Sequence, residues 1–208
     1  MKTVFCCVLF FCSLPCFAQV TAVTSNGDEV ILYNDGTWKY ADKAATSANK
    51  IDTSTLLFSK SADADFLIKS TVTKIGIKLN PKKWSFKKTS EEGVEYNLNS
   101  KGKDAYALVL TERVEIPLEN LRNIALDNAK EVAPDVHIVH EEYRVVNGET
   151  VLCLQMNGTT QGIKFTYLGY YYSFDKGTVQ FVTYTSQKLF DEYKSDMEEL
   201  LNGFVVLK

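Results

Sequence analysis

Residues 137–156 read HIVHEEYRVVNGETVLCLQM. Asn147-Gly148 lies near the middle, and Asn-Gly is the pair that best tolerates the two positive φ values of a type I′ turn. His137 to Val146 on one side and Thr150 to Met156 on the other are rich in β-branched and apolar residues. The stretch therefore predicts an antiparallel hairpin.

The same logic extends in both directions. Gly162 to Phe174 and Thr178 to Thr185 predict a second hairpin around Asp175-Lys176-Gly177. Gln187 to Asn202 then switches to a helical period. Leu189, Phe190, Tyr193, Met197, Leu200 and Leu201 form its apolar stripe, and Gly203 suits a C′ position. Upstream, Pro117 suits a first helical turn; Leu118, Leu121, Ile124, Ala125 and Val132 fall at helical spacing; and Pro134 ends the run. Ala105 to Glu115 reads as a strand with apolar residues on both faces, which predicts a sheet covered on both sides. Phe66 to Leu79 is strand-like and broken at Gly76. After the Asn80-Pro81 turn, Trp84 and Phe86 alternate with Lys83, Ser85 and Lys87 as a further strand. Strands, helix, four antiparallel strands, helix: the order predicts an α+β domain with a mostly antiparallel sheet, covering about residues 56–208.

The amino-terminal part differs in character. Val20 to Thr24, Glu29 to Tyr33 and Thr37 to Tyr40, separated by Asn26-Gly27 and Asp35-Gly36, predict a small β-meander over residues 19–40. Residues 41–55, ADKAATSANKIDTST, lack apolar periodicity and read as a linker. Residues 1–18, MKTVFCCVLFFCSLPCFA, combine Lys2, a short apolar run and a small-x-small pattern at Cys16-Phe17-Ala18. That predicts a signal peptide cleaved before Gln19, and hence a periplasmic or extracellular protein. Pro15 stands where a lipobox wants Gly, Ala or Ser, which disfavours lipid anchoring at Cys16. Removal of this stretch leaves one cysteine, Cys153, too few for an internal disulfide. The whole chain carries a charge of −3, a poor basis for binding nucleic acid through the net field.

Several of these segments together resemble the Mog1/PsbP-like fold. They are Asn80-Pro81-Lys82-Lys83-Trp84 leading into a strand, the hairpin at Tyr143-Arg144-Val145-Val146-Asn147-Gly148, the aromatic hairpin Phe165 to Phe181, and the closing Leu200-Leu201-Asn202-Gly203-Phe204. The resemblance implies an α/β/α sandwich over about residues 56–208. It implies no single function, because that fold serves a small-GTPase regulator, a photosystem II extrinsic subunit and many secreted bacterial proteins. Tyr33-Asn34-Asp35-Gly36-Thr37-Trp38 resembles the short "DGTW" hairpin modules of secreted bacterial proteins.

No nucleophile elbow, zinc-protease helix, Walker loop or dinucleotide fingerprint is present, and the sequence implies no cofactor. His137 and His140, three apart on a strand, are expected on opposite faces, unable to share a metal. Cys153, between Leu152 and Leu154, reads as a small buried hydrophobe. Asp63 with Asp65, and Glu91 with Glu92, lack the spacing of a calcium loop and read as solvated charge. Tyr167, Tyr170, Tyr171 and Tyr172 read as core on both sides of the sheet, with a ligand groove as the alternative. The candidate binding surface is the basic strip Lys82, Lys83, Lys87 and Lys88 around Trp84; its alternative is a solvated turn with Trp84 in the core. The expectation is an exported, non-catalytic binding or assembly module whose partner is another envelope protein or an anionic surface. The alternatives are a carrier of a hydrophobic ligand and a hydrolase whose site gathers Glu141, Glu142, Arg144 and the tyrosine strand.

Overall fold

The computed structural model describes residues 20–24, 29–34, 36–40, 51–89 and 93–207. The leader stretch, Asn26-Gly27, Asp35, most of the expected linker, and Glu91 with Glu92 lie outside the described residues. In chain order the elements are β1 (Val20–Val23), β2 (Glu29–Leu32), β3 (Trp38–Tyr40), β4 (Thr53–Phe58), β5 (Phe66–Lys69), β6 (Ile75–Leu79), β7 (Trp84–Lys88), β8 (Val94–Ser100) and β9 (Ala105–Glu112). Then follow α1 (Leu118–Val132), β10 (His137–Val146), β11 (Glu149–Thr160), β12 (Ile163–Phe174), β13 (Gly177–Ser186), α2 (Gln187–Leu201) and β14 (Phe204–Val206).

Strands β1, β2 and β3 form a separate antiparallel sheet in which Leu32 pairs with Trp38 and Val30 with Tyr40. The main sheet has eight strands in the order β4-β10-β11-β12-β13-β9-β8-β7, all antiparallel except the β4–β10 pair. Thr53 to Thr55, expected in the linker, belong to its edge strand β4. A third sheet, β14-β6-β5, completes the fold.

Strand alternation sorts the side chains of the main sheet into two cores. Val151, Cys153, Leu168, Tyr170 and Phe181 are buried with Phe190, Met197, Leu200 and Leu201 of α2 and with Ile75, Ile77 and Phe204 of the small sheet. Leu152, Leu154, Tyr171 and Val182 face the other way, against Leu121 and Ala125 of α1. The result is an α/β/α sandwich, with α2 and the small sheet on one face and α1 on the other. Cover is fuller over β11 and β12 than over β9. There Ala107 and Val109 are buried, while Leu108 and Leu110, expected to be equally covered, are only half-buried and Tyr106 is exposed.

Local chemistry explains the joints. Asn147 and Gly148 both take positive φ, 51° and 94°, as a type I′ turn requires. The Asn147 side chain does more than permit the turn: its Nδ2 donates to the carbonyls of Asn202 (2.8 Å) and Phe204 (2.7 Å), and its Oδ1 accepts from the Lys60 N–H (3.0 Å). One residue thus ties the hairpin to the end of α2, to β14 and to the chain leaving β4. At Gly203 the need is space rather than positive φ. A Cβ there would lie 1.8 Å from the Lys78 carbonyl oxygen, across the contact in which Lys78 N–H donates to the Gly203 carbonyl. The break expected at Gly76 falls instead at residues 70–74, the loop joining β5 to β6; Gly76 sits within β6, against Leu67 and the Ile68 carbonyl.

Trp84 is 2% exposed and belongs to the core beneath α2 with Leu98. Trp84→Ala is expected to lower the unfolding free energy by about 3–5 kcal/mol, as for large-to-small changes at buried aromatics. Urea denaturation measures this. A loss under about 1 kcal/mol would put the indole at the surface.

Candidate functional site

The basic strip does not survive folding as one surface. Alternation along β7 puts Lys87 and Lys88 on opposite faces of the sheet. Trp84, offered as its aromatic centre, is core and presents no ring to a ligand. Lys83 reaches α2, where its Nζ lies 2.5 Å from Glu199 Oε2 and 3.4 Å from Asp196 Oδ1. Its hydrogen bond to Glu199 raises the ammonium pKa above the ordinary value despite partial burial. Asp196 also pairs with Lys103. Lys82 stays exposed beside a hollow of about 250 Å³ that it shares with Asp63 and Asp65. Lys88 donates to Thr71 Oγ1 at 3.1 Å.

Thr71 belongs to the β5–β6 loop, and that loop borders a second, larger hollow of about 420 Å³. Residues 71–74, Arg113, Phe174 and Lys176 line it. Its cations come from three places: Lys74 from the loop, Arg113 from just beyond β9, and Lys176 from the β12–β13 turn. Strand pairing brings Arg113 and Lys176 together, since Glu112 at the end of β9 stands opposite Thr178 at the start of β13. All three are exposed, and none makes an ion pair within the described residues. Glu112 and Asp175 are the neighbouring exposed carboxylates.

The loop is held from below by Glu95, a buried carboxylate. Its oxygens accept from Ser70 Oγ (2.6 Å), the Thr71 N–H (2.5 Å), Thr71 Oγ1 (2.8 Å) and Thr111 Oγ1 (3.0 Å). Ser70 Oγ in turn accepts from the N–H groups of Val72 and Thr73. Burial alone would raise the Glu95 pKa. The hydrogen bonds from Ser70, Thr71 and Thr111 together outweigh it and hold the carboxyl below its ordinary value of 4.5. The N–H groups of Thr71, Val72 and Thr73 are therefore already engaged, so the charged side chains of Lys74, Arg113 and Lys176 are the main groups left to meet a ligand.

The groups that sequence offered for catalysis are engaged elsewhere. Glu141 faces α1 and holds Arg122, whereas Glu142 and Arg144 lie on the α2 face, so these three share no pocket. Arg144 Nε donates to Glu142 (2.6 Å), and its Nη1 to Tyr170 Oη and Glu198 (3.2 Å each), beneath the Phe58 ring at 4.5 Å. Tyr170 Oη donates to Asn202 Oδ1 at 2.8 Å. Cys153 is fully buried, and burial pushes its thiol up to about 12, far from a reactive thiolate. Tyr170 and Tyr171 are core on opposite faces, and none of the four tyrosines lines either hollow. A β-bulge between Ile138 and His140 overturns the expected placing of the histidines: opposite Asn157 and Gln155, both fall on one face. They remain separate, His137 Nδ1 against the Asp135 carbonyl and His140 Nε2 3.5 Å from Glu142. Among the described residues no group of three or more His, Cys, Asp or Glu side chains is placed to hold a metal. Nor is any helix among them long and apolar enough to cross a membrane.

No family model matches the sequence. No curated protein matches it either. Similarity is found among solved structures. The solution structure of cyanobacterial PsbP (CyanoP) from Synechocystis sp. PCC 6803 has a TM-score of 0.52 at 13% identity, over 70% of this chain and 94% of that one. A Pseudomonas aeruginosa protein of unknown function, PA94, gives 0.45 at 9%, over 69% and 96%. LpqN of Mycobacterium tuberculosis, involved in cell envelope biogenesis, gives 0.48 at 10%, over 69% and 90%. The chain thus has the PsbP/Mog1-like fold that its sequence resembles; at such identities the likeness concerns the fold alone.

Glu95→Gln tests the support of the hollow. The folded-state pKa is depressed, so the stabilisation is present above the unfolded value and lost as pH falls through the folded one. The variant is expected to be less stable by about 1–3 kcal/mol at pH 7. That gap holds down to roughly pH 5 and narrows below it. Denaturation curves from pH 7 to 3 measure this; a gap that does not change with pH would contradict it.

Proposed function

We propose that this chain is an exported, non-catalytic binding module of the bacterial cell envelope, recognising an acidic ligand through the cationic hollow of Lys74, Arg113 and Lys176. One contrast carries the reading. Arg144, Tyr170 and Glu95 are buried and hydrogen-bonded within the protein, Glu142 is held by Arg144, and Cys153 is fully buried, whereas these three surface cations have no ion-pair partner among the described residues. Catalysis needs an accessible nucleophile or acid–base group; recognition needs accessible charge of the right sign. Lys88, bound to Thr71 at the rim, is the member of the basic strip that adds to this field. The leader-like residues 1–18 support export, and the expected cleavage before Gln19 removes Lys2 and no acidic residue. The remaining protein is then still more acidic overall, so attraction of an anion rests on a local field rather than on net charge.

The test is capture from an envelope extract by immobilised protein at low salt. The wild type is expected to retain partners that the triple variant Lys74→Ala, Arg113→Ala, Lys176→Ala loses, and to release them as salt screens the contact. Unchanged capture by a folded triple variant would remove the hollow from the account.

A further inference from the structure

The geometry points to a phosphate ester on an apolar or ring-bearing body as the ligand of this hollow, an inference that rests on the binding reading above. Three features select that chemistry. The first is the donor set. Arg113 offers a planar fork that matches two oxygens of one phosphate, and Lys74 and Lys176 add two point charges from separate elements. Three cations around one hollow suit a group with more than one negative charge better than a single carboxylate. Glu112 and Asp175, exposed next to Arg113 and Lys176 along the chain, repel any anion in proportion to its charge and lower the net attraction without reversing that preference.

The second feature is the missing backbone cradle. The N–H groups of Thr71, Val72 and Thr73 already donate to Glu95 and Ser70, and Thr73 Oγ1 donates to Ser70. Phosphate recognition here rests on long side chains at an open surface, so a bare inorganic ion would gain little beyond screened ion pairing.

The third feature is the apolar part of the lining. Val72 and the Phe174 ring border the same hollow, and Phe174 is fixed by stacking on Tyr172 with centroids 5.6 Å apart. The Tyr172 hydroxyl donates to Glu149 at 2.9 Å, which steadies the pair. A held ring beside three cations presents a contact surface for the body that carries the phosphate. The volume of about 420 Å³ leaves room for both parts.

Isothermal titration of the folded full-length chain with phenyl phosphate, inorganic phosphate and benzoate tests this. Amide shifts of residues 71–74, 113 and 176 report the location. Phenyl phosphate is expected to bind about tenfold more tightly than either other compound, and Arg113→Ala to weaken it about tenfold or more. Lys82→Ala, at the separate hollow, is expected to leave it unchanged. Equal binding of benzoate or of inorganic phosphate, or an unaffected Arg113→Ala variant, would overturn the assignment. Sedimentation with phosphatidic acid vesicles, whose headgroup is a phosphate monoester like phenyl phosphate, distinguishes the sources: retention supports a lipid headgroup, and phenyl phosphate binding without retention supports a soluble ester. If neither phenyl phosphate nor vesicles bind while the triple variant still loses its envelope partners, the phosphate assignment falls and the binding reading stands.

Discussion

The centre of the main sheet, β11 and β12, must bury both of its faces, and most of the molecule follows from that constraint. On β11 and β12 successive residues pass to opposite cores, so these strands need apolar side chains without interruption: Val151, Leu152, Cys153 and Leu154, then Tyr170 and Tyr171. Polar groups reaching such a face are stable only when fully partnered. Arg144 meets that condition through Glu142, Tyr170 and Glu198, and Thr183 through the Leu168 carbonyl. The same demand leaves Cys153 inert. Arg144 and Cys153 inside the sandwich are structural members.

The cationic hollow lies at the strand ends. It is assembled from a hairpin loop, the exit of β9 and the β12–β13 turn, which only the strand order makes neighbours. Its floor is organised by Glu95, whose carboxylate bonds to loop and sheet together. A hydrogen-bonded frame beneath exposed cations is a sound arrangement for binding, because the frame limits the ordering cost of the loop.

Sequence made the architecture legible wherever the signal was local. The Asn147-Gly148 turn, the hairpin around Asp175-Lys176 and the periodic stripes of both helices appear where expected. It failed where the deciding contact was distant. Thr53 to Phe58 is strand only because β10 pairs with it, and a bulge beside Val139 turns His140 onto the face of His137. The lysine run around Trp84 looked like one surface because its members are consecutive; alternation and the acidic side of α2 disperse it. Lys74, Arg113 and Lys176 carried no sequence signal, being far apart along the chain and each an ordinary strand-end cation.

Lysine acylation followed by mass spectrometry addresses the central division most directly, between cations held within the fold and cations free for a ligand. The account predicts that Lys74 and Lys176 react quickly in the free protein and are protected together by phenyl phosphate. Lys83, paired with Glu199 and Asp196, should react slowly with or without it. Slow reaction of Lys74 and Lys176 in the free protein, or protection falling on Lys82 and Lys87 instead, would contradict it.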